Sequence, residues 1–406
     1  MKKILFLAFI AVSSLLSAQK KPSKSKAAFE LGSGLNFTFN DSAYYFSIGG
    51  MVQPYIGINT VEGSDADYFL NSRRSYFNLG GSAIEEGVSF FVQLDFSAND
   101  PLLDAWIGFH PTKKLNLYVG QKQSLANNRE MLVMETHLQY PDRSLMSTSF
   151  SNTGREFGVF LDYRFGGSKF GFVPQLAFTS GDGRNSFGSD SRDIDLGGFK
   201  YAARFDLYPL GFFSKGNDQS IADLTYEKSP KFVIGAAASY NDGASEALGE
   251  GHGNFSLFDI NGNAQLPDYR QVYGDFLLKY KGFSLLGEYA IATATQLEGS
   301  YINATGNDAL LPTEISEFLA LGTGYNFQAG YILPNKAYGI DARYFGVTPE
   351  FELNAASVIQ ERSGWSVGAS KYFKGNACKL QASYTSLSGQ SVLSSSQIEI
   401  LFQVIF

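Results

Sequence analysis

Ionised side chains recur in this sequence at even spacings, and that spacing limits the chemistry open to them. Lys200, Arg204 and Asp206 share one parity of FKYAARFDLY, and Asp341 and Arg343 share one parity of YGIDARYF. On an extended chain, even steps place side chains on one face. Lys122, Lys279, Asp95, Asp275, Glu288 and Glu399 also take the polar parity of their segments. Both signs therefore stand on the same faces, and fixed charges so placed can hold or guide ions and polar solutes in water.

Covalent chemistry has less support. A hydrolytic site needs a serine, a histidine and an orienting polar group within reach. The histidines are His110 beside Pro111, His137, and His252 in a glycine-rich stretch. Ser144 is near enough in sequence to meet His137, but no nucleophile motif accompanies either, so a polar loop residue is the plainer reading. Asp190, Asp193 and Asp195 in GSDSRDIDLGG could gather around calcium, which favours oxygen ligands. Their spacing does not match an EF-hand loop, and solvated loop charges are commoner. Cys378 is the sole cysteine, so no intrachain disulfide can form. It shares the apolar parity of Leu380 and Ala382 and reads as a small buried or lipid-facing residue. No enzyme activity, cofactor or metal is expected.

The elements that must carry these charges are strands. In SSQIEILFQVIF, Ile398, Ile400, Phe402, Val404 and Phe406 alternate with Gln397, Glu399, Leu401, Gln403 and Ile405. The period is two, and the chain ends on an apolar aromatic. The same alternation recurs in about sixteen segments: 44–58, 68–80, 87–98, 103–111, 114–122, 154–166, 168–179, 198–208, 230–241, 269–281, 282–293, 316–332, 336–348, 362–374, 376–388 and 395–406. Connections such as Pro111-Thr112 and Lys281-Gly282 are short; 123–153, 180–197, 242–268 and 294–315 are long and rich in Gly, Asn, Asp and Ser. Aromatic residues reach 15%, and no second apolar run suits a membrane helix. Those near strand ends, such as Tyr208, Tyr280 and Tyr338, read as interface girdles ahead of a sugar-binding slide.

MKKILFLAFIAVSSLLSAQ has two lysines, a short apolar run and small residues before Ala18. It reads as a secretory signal peptide over residues 1–18. The net charge of −7, more negative once Lys2 and Lys3 leave, argues against nucleic acid as a partner. Alternating faces, an even strand count and alternating connection lengths predict an all-β, closed, transmembrane antiparallel β-barrel of about 16 strands. Lipid cannot hydrogen-bond a free edge, so the sheet must close. A ring of that size leaves an aqueous interior. The barrel is expected over 44–406, with a periplasmic N-terminal segment over 19–43.

YFLNSRRSYFNLGGSA, followed by VSFFVQLDFS, LLDAWIGF and LNLYVGQ, resembles the phosphate-selective porin O/P family of Gram-negative outer membranes. FSIGGMVQ upstream and the Asp142-Arg143 pair downstream extend the resemblance over about residues 34 to 165. It implies an outer-membrane homotrimer, one pore per barrel, basic residues up the lumen and a third loop folded inward. Arg74 would then be a ladder arginine, Arg143 a basic residue of the constricting loop and Asp104 a neighbour of the narrow zone. Lys122 and Arg204 would line the pore; Arg73 would point outward. Where the family carries basic residues, this chain has Met51, Gln121 and Met131. The expected function is passive diffusion of small hydrophilic solutes, with a preference for anions such as phosphate weakened by those three positions. The expected surroundings are membrane lipid and lipopolysaccharide. The alternative is a barrel scaffold for a surface protein complex or adhesin.

Overall fold

The computed structural model describes residues 24–152, 154–184, 197–251, 253–295, 299–352, 354–390 and 392–406. Residues 1–18, read above as a signal peptide, the Asp190, Asp193 and Asp195 group and His252 lie outside the described residues. The chain opens with a hairpin, β1 (Lys26–Glu30) and β2 (Gly34–Phe39). Then come β3 (Tyr44–Val61), β4 (Asp67–Ala83), β5 (Val88–Asp95), β6 (Leu102–Phe109), β7 (Leu115–Gln123) and β8 (Arg155–Tyr163). After a two-residue β9 (Phe165–Gly166) follow β10 (Gly171–Thr179), β11 (Lys200–Tyr208), β12 (Lys231–Asn241), β13 (Tyr269–Tyr280) and β14 (Phe283–Ala294). The last five are β15 (Gly322–Ile332), β16 (Tyr338–Pro349), β17 (Arg362–Tyr372), β18 (Cys378–Gly389) and β19 (Ser395–Ile405).

Sixteen of these, β3 to β8 and β10 to β19, pair in chain order as antiparallel neighbours. β19 returns to β3, with Ile398 opposite Ile58 and Ile405 opposite Met51, so the ring closes. Large apolar side chains such as Ile340, Tyr344 and Val367 are exposed on the outer parity, while Gln328, Lys379 and Gln403 are buried on the inner one. That inversion of the usual soluble arrangement is the mark of a barrel whose outer wall meets lipid. The N-terminal segment is built as well: β2 pairs with the first residues of β3, Leu35 opposite Ile48, and lengthens the wall. One strand starts later than its pattern suggests. Residues 316–321 leave the wall through a 3-10 turn over Glu314–Glu317, because Leu319, Ala320 and Leu321 are drawn into the interior.

The C-terminal residue takes part in closure. Phe406 N–H donates to the Gly50 carbonyl at 2.9 Å, and Gly50 N–H donates to the Phe406 carbonyl at 2.6 Å. Deleting Phe406, which removes this closing pair, should lower the amount of assembled barrel in membrane fractions more than it lowers the unfolding temperature of purified barrel. Quantitative blotting of membrane fractions beside a thermal melt checks this; normal membrane levels would show that the Phe406–Gly50 pairing is not needed for assembly.

Candidate functional site

The site is the barrel interior, and its main occupant is the loop over 124–154. It leaves the wall after β7 and re-enters at β8, making it the third connection on the long-loop side. Two short helices stiffen it, α1 (Arg129–Leu132) and α2 (Leu145–Phe150). Ser144 caps α2, its hydroxyl accepting from Ser147 N–H. Glu130 braces both helices: its Oε2 accepts from Ser144 N–H at 2.8 Å and from the Ser144 and Ser147 hydroxyls at 2.7 and 2.5 Å.

The loop crosses the interior and is tied to wall strands on opposite sides. Lys379 on β18 donates to the Leu138 carbonyl at 2.7 Å, and Gln381 donates to the Gln139 carbonyl at 2.6 Å. Gln403 on β19 reaches Thr136, and Tyr140 of the loop donates to Ser366 on β17. Across the ring, Arg204 on β11 donates to the Asn127 carbonyl at 3.1 Å, and Asn128 donates to Glu288 on β14 at 3.0 Å. A segment with such ties bridges the lumen instead of lining one wall.

The charges form pairs. Arg74 meets Asp142 at 3.0 Å and donates to the Pro141 carbonyl at 3.3 Å. Arg143 meets Glu135 at 2.8 Å and the carbonyls of Glu130 and Val133, so it braces its own loop. Asp104 lies 3.3 Å from Arg155. Arg204 contacts Asp206 at 3.0 Å and Asp275 at 2.7 Å, and Arg129 of the loop contacts the same two carboxylates at 2.6 Å. Lys122 has its ammonium 5.0 Å from the centre of the Tyr118 ring. Met51 is fully buried against Tyr76 and Leu103, Gln121 donates to the Leu102 and Leu103 carbonyls, and Met131 is buried in the loop. Burial works against the charge of Glu135, a loop residue outside the spanning strands. Arg155, then Arg143 and Arg74, nevertheless hold its carboxyl well below the usual carboxylate range.

Arg73 corrects the expectation that it points outward. It faces the interior and pairs with Asp142 at 2.7 Å and with Glu399. The register along β3 and β4 runs Gln53 opposite Arg74 and then Pro54 opposite Ser72, which leaves Arg73 as the extra residue of a bulge. Proline cannot donate to the ladder, and a bulge is where a strand tolerates it. The inserted residue reverses the parity, so Arg73 and Arg74 both turn inward.

The interior also holds apolar contacts that alternation does not reveal. Met146 and Phe150 of α2 pack with Phe160, Tyr273, Leu257 and Leu319. Val133 and Leu138 of the loop pack with Phe213 and Ile221 from the β11–β12 connection and with Val233, Leu277 and Leu286 of the wall. The water-filled interior expected from strand number is therefore occupied by protein at the level of the third loop. Sequence reasoning missed Arg129, Arg155 and Lys379 as lumen groups, and it missed the inward course of 209–230. Length was the available signal: that connection lies on the side where the others are as short as 281–282 and 373–377.

His137 does not meet Ser144, the serine near it in sequence. His137 Nδ1 pairs with the Thr136 hydroxyl at 2.7 Å, whereas Ser144 is committed to Glu130. His110 lies in a chain of contacts, Ser89 Oγ to Nε2 at 2.7 Å, Nδ1 to Asn116 Oδ1 at 2.7 Å, and Asn116 Nδ2 to Asp162 Oδ1 at 2.7 Å. Because Asn116 donates to Asp162, its oxygen accepts from His110 Nδ1–H, and His110 Nε2 pairs with the Ser89 hydroxyl. The chain stitches β5, β7 and β8 together at the short-connection end. Among the described residues, no group of three or more His, Cys, Asp or Glu is placed to hold a metal ion.

No family model matches the chain, and no curated protein matches it in sequence. Solved structures match in shape. The anion-selective porin from Comamonas acidovorans aligns with a TM-score of 0.54 at 9% identity, over 89% of this chain and 100% of that one. The outer membrane channel DcaP of Acinetobacter baumannii aligns with a TM-score of 0.53 at 10% identity, over 90% of this chain and 98% of that one. Outer-membrane expressed OmpT of Vibrio cholerae gives 0.52 at 10% identity, over 90% and 98%. Nearly the whole chain is thus similar to outer-membrane barrels of known structure, and the likeness establishes a porin-type fold.

Proposed function

We propose that this chain is a bacterial outer-membrane channel for small hydrophilic solutes, narrowed by its third loop in the conformation described. The observation that carries this reading is a closed sixteen-strand wall, apolar outside and polar inside, with that loop folded across its lumen. The porin-type fold supports it. Passive diffusion needs no bond-making step, and no cofactor enters the proposal. Removal of residues 1–18, a homotrimeric assembly and contact with lipopolysaccharide belong to the same reading. The interior is not a simple anion ladder in this reading. Arg73, Arg74, Arg129, Arg143, Arg155, Arg204 and Arg343 each lie against a carboxylate, so their field is largely cancelled where they stand.

A barrel scaffold for a surface complex is the second reading, favoured by the occupied interior. Planar-bilayer recording of the purified protein separates the two. Small or infrequent openings that grow when 125–152 is replaced by a short turn support the channel. A barrel that stays silent after that replacement supports the scaffold.

From the loop-length pattern we infer that the short connections face the periplasm. In a Cys378→Ser background, Ser64→Cys should be labelled by an impermeant maleimide in intact cells and Gly167→Cys should not. Equal labelling would overturn the orientation.

A further inference from the structure

The connection over 209–230 is unlike its neighbours. On its side of the barrel the other connections are 84–87, 110–114, 164–170, 281–282, 333–337 and 373–377, all close turns. This one folds into the mouth. Asn217, Ser220, Ile221, Ala222, Asp223 and Glu227 are all buried.

The middle of the strap, residues 217–222, is gathered by one side chain of the wall. Lys279, on the inner parity of β13, is fully buried. Its ammonium donates to the Asn217 carbonyl at 2.6 Å, to the Ala222 carbonyl at 3.1 Å and to the Ser220 carbonyl. Asn217 Oδ1 lies 3.3 Å away. Three donors of an ammonium are thus spent on backbone oxygens of a segment far away in sequence. The two ends of the strap are held separately: Phe212 N–H donates to the Gly167 carbonyl at 3.1 Å, Lys231 donates to the Leu210 carbonyl at 2.8 Å, and Lys281 N–H donates to the Glu227 carbonyl at 3.0 Å. Asp218 lies 3.8 Å from Arg164. Asp223 Oδ2 accepts from Gly282 N–H at 2.8 Å, in the turn where Lys281 and Gly282 both have positive φ. Lys336 donates to the Thr225 carbonyl at 3.1 Å.

The strap reaches across the mouth and up to the third loop. Ala222 packs with Ile332 of β15 and Tyr372 of β17, although the strap departs from β11. Phe213 and Ile221 touch Val133 and Leu138 of the third loop. The short-connection mouth over β11–β17 is covered, and the cover braces the loop that narrows the lumen.

We propose that residues 209–230 are a gate at the short-connection mouth, held shut by Lys279, and that solute passes when the strap leaves. This rests on the channel reading above. A charged donor bonded to three carbonyls makes a strong tie, and its loss strands those oxygens in a closed interior. Removing it should raise the open fraction by about tenfold or more. Because the tie is an ammonium in a cage of oxygens, a free alkylammonium ion has the chemistry to replace it.

The test uses full-length protein in a Cys378→Ser background with two readouts. One is bilayer conductance. The other is maleimide labelling of Ala222→Cys, a buried position that reacts only when the strap moves. Lys279→Ala should raise both, propylammonium should lower both again, and Lys279→Arg should stay near the parent. Unchanged labelling in Lys279→Ala overturns the latch. Raised labelling with unchanged conductance overturns the gate. Replacing 212–226 by a short turn guards against misfolding of the point variant: a folded barrel that conducts no more than the parent, while the third-loop replacement conducts, overturns the gate alone. If neither replacement conducts, the channel reading falls and the gate falls with it.

Discussion

Arg204→Met should destabilise the folded barrel by about 3–5 kcal/mol, the usual cost of breaking a buried ion pair from one side. Arg204 is fully enclosed, Asp275 is equally enclosed, and Asp206 is nearly so. Removing the guanidinium leaves two carboxylates to Arg129 and takes a donor from the Asn127 carbonyl. The effect should appear as a lower urea midpoint of detergent-refolded protein, with the slope of the transition unchanged. Pairing the change with Asp275→Leu should recover much of the loss, because the second variant removes the charge that the first stranded. A midpoint equal to that of the parent would mean that water reaches this cluster. The variant should also loosen the third loop, which meets the same carboxylates through Arg129.

Arg74→Ala and Asp142→Asn should move ion selectivity in opposite directions. Arg73, Arg74, Asp142 and Glu399 form a compact set of two cations and two anions. Arg74→Ala leaves one excess negative charge and favours cations; Asp142→Asn leaves one excess positive charge and favours anions. Asp142 is about a third exposed, so a water-like medium is the fair choice. One unit charge at 4 Å is then worth about 1 kcal/mol, a roughly fivefold change in local ion concentration. Reversal potentials in asymmetric salt read this directly, and the separation should shrink as ionic strength rises. Arg143→Ala should move selectivity less, since Arg143 spends its donors inside the loop. Coincident reversal potentials for Arg74→Ala and Asp142→Asn would place the conducting path away from this set. Met51→Arg is a poor route to more anion selectivity, because position 51 is enclosed by Tyr76 and Leu103 and a new cation there has no partner.

The wall of this protein was legible in its residues. Strand alternation is a local property: Lys200, Arg204 and Asp206 fall on one face whatever the rest of the chain does, and the apolar parity of 395–406 needs lipid or a partner from its composition alone. The C-terminal strand, the even strand count and the third loop's position between β7 and β8 followed from period and spacing. The inward turn of Arg73 did not. It depends on register between β3 and β4, and Pro54 marks the bulge only once its opposite strand is known.

The interior was decided by tertiary structure. Arg204 and Asp275 are far apart in sequence and 2.7 Å apart in space because β11, β12 and β13 are successive staves. Arg74, Arg143, Lys200, Arg204 and Arg343 each gained a carboxylate from elsewhere in the fold, whereas Lys122 lies over the Tyr118 ring and Lys279 spends its ammonium on carbonyls, and no spacing along one strand encodes either outcome. The strap over 209–230 and the loop over 124–154 meet through Ile221, Phe213, Val133 and Leu138, a contact between two connections on opposite sides of the barrel. Alternation sets which side chains face inward. What fills the inside depends on where long connections fold back, and that is settled by pairing ions and burying apolar side chains across the closed ring.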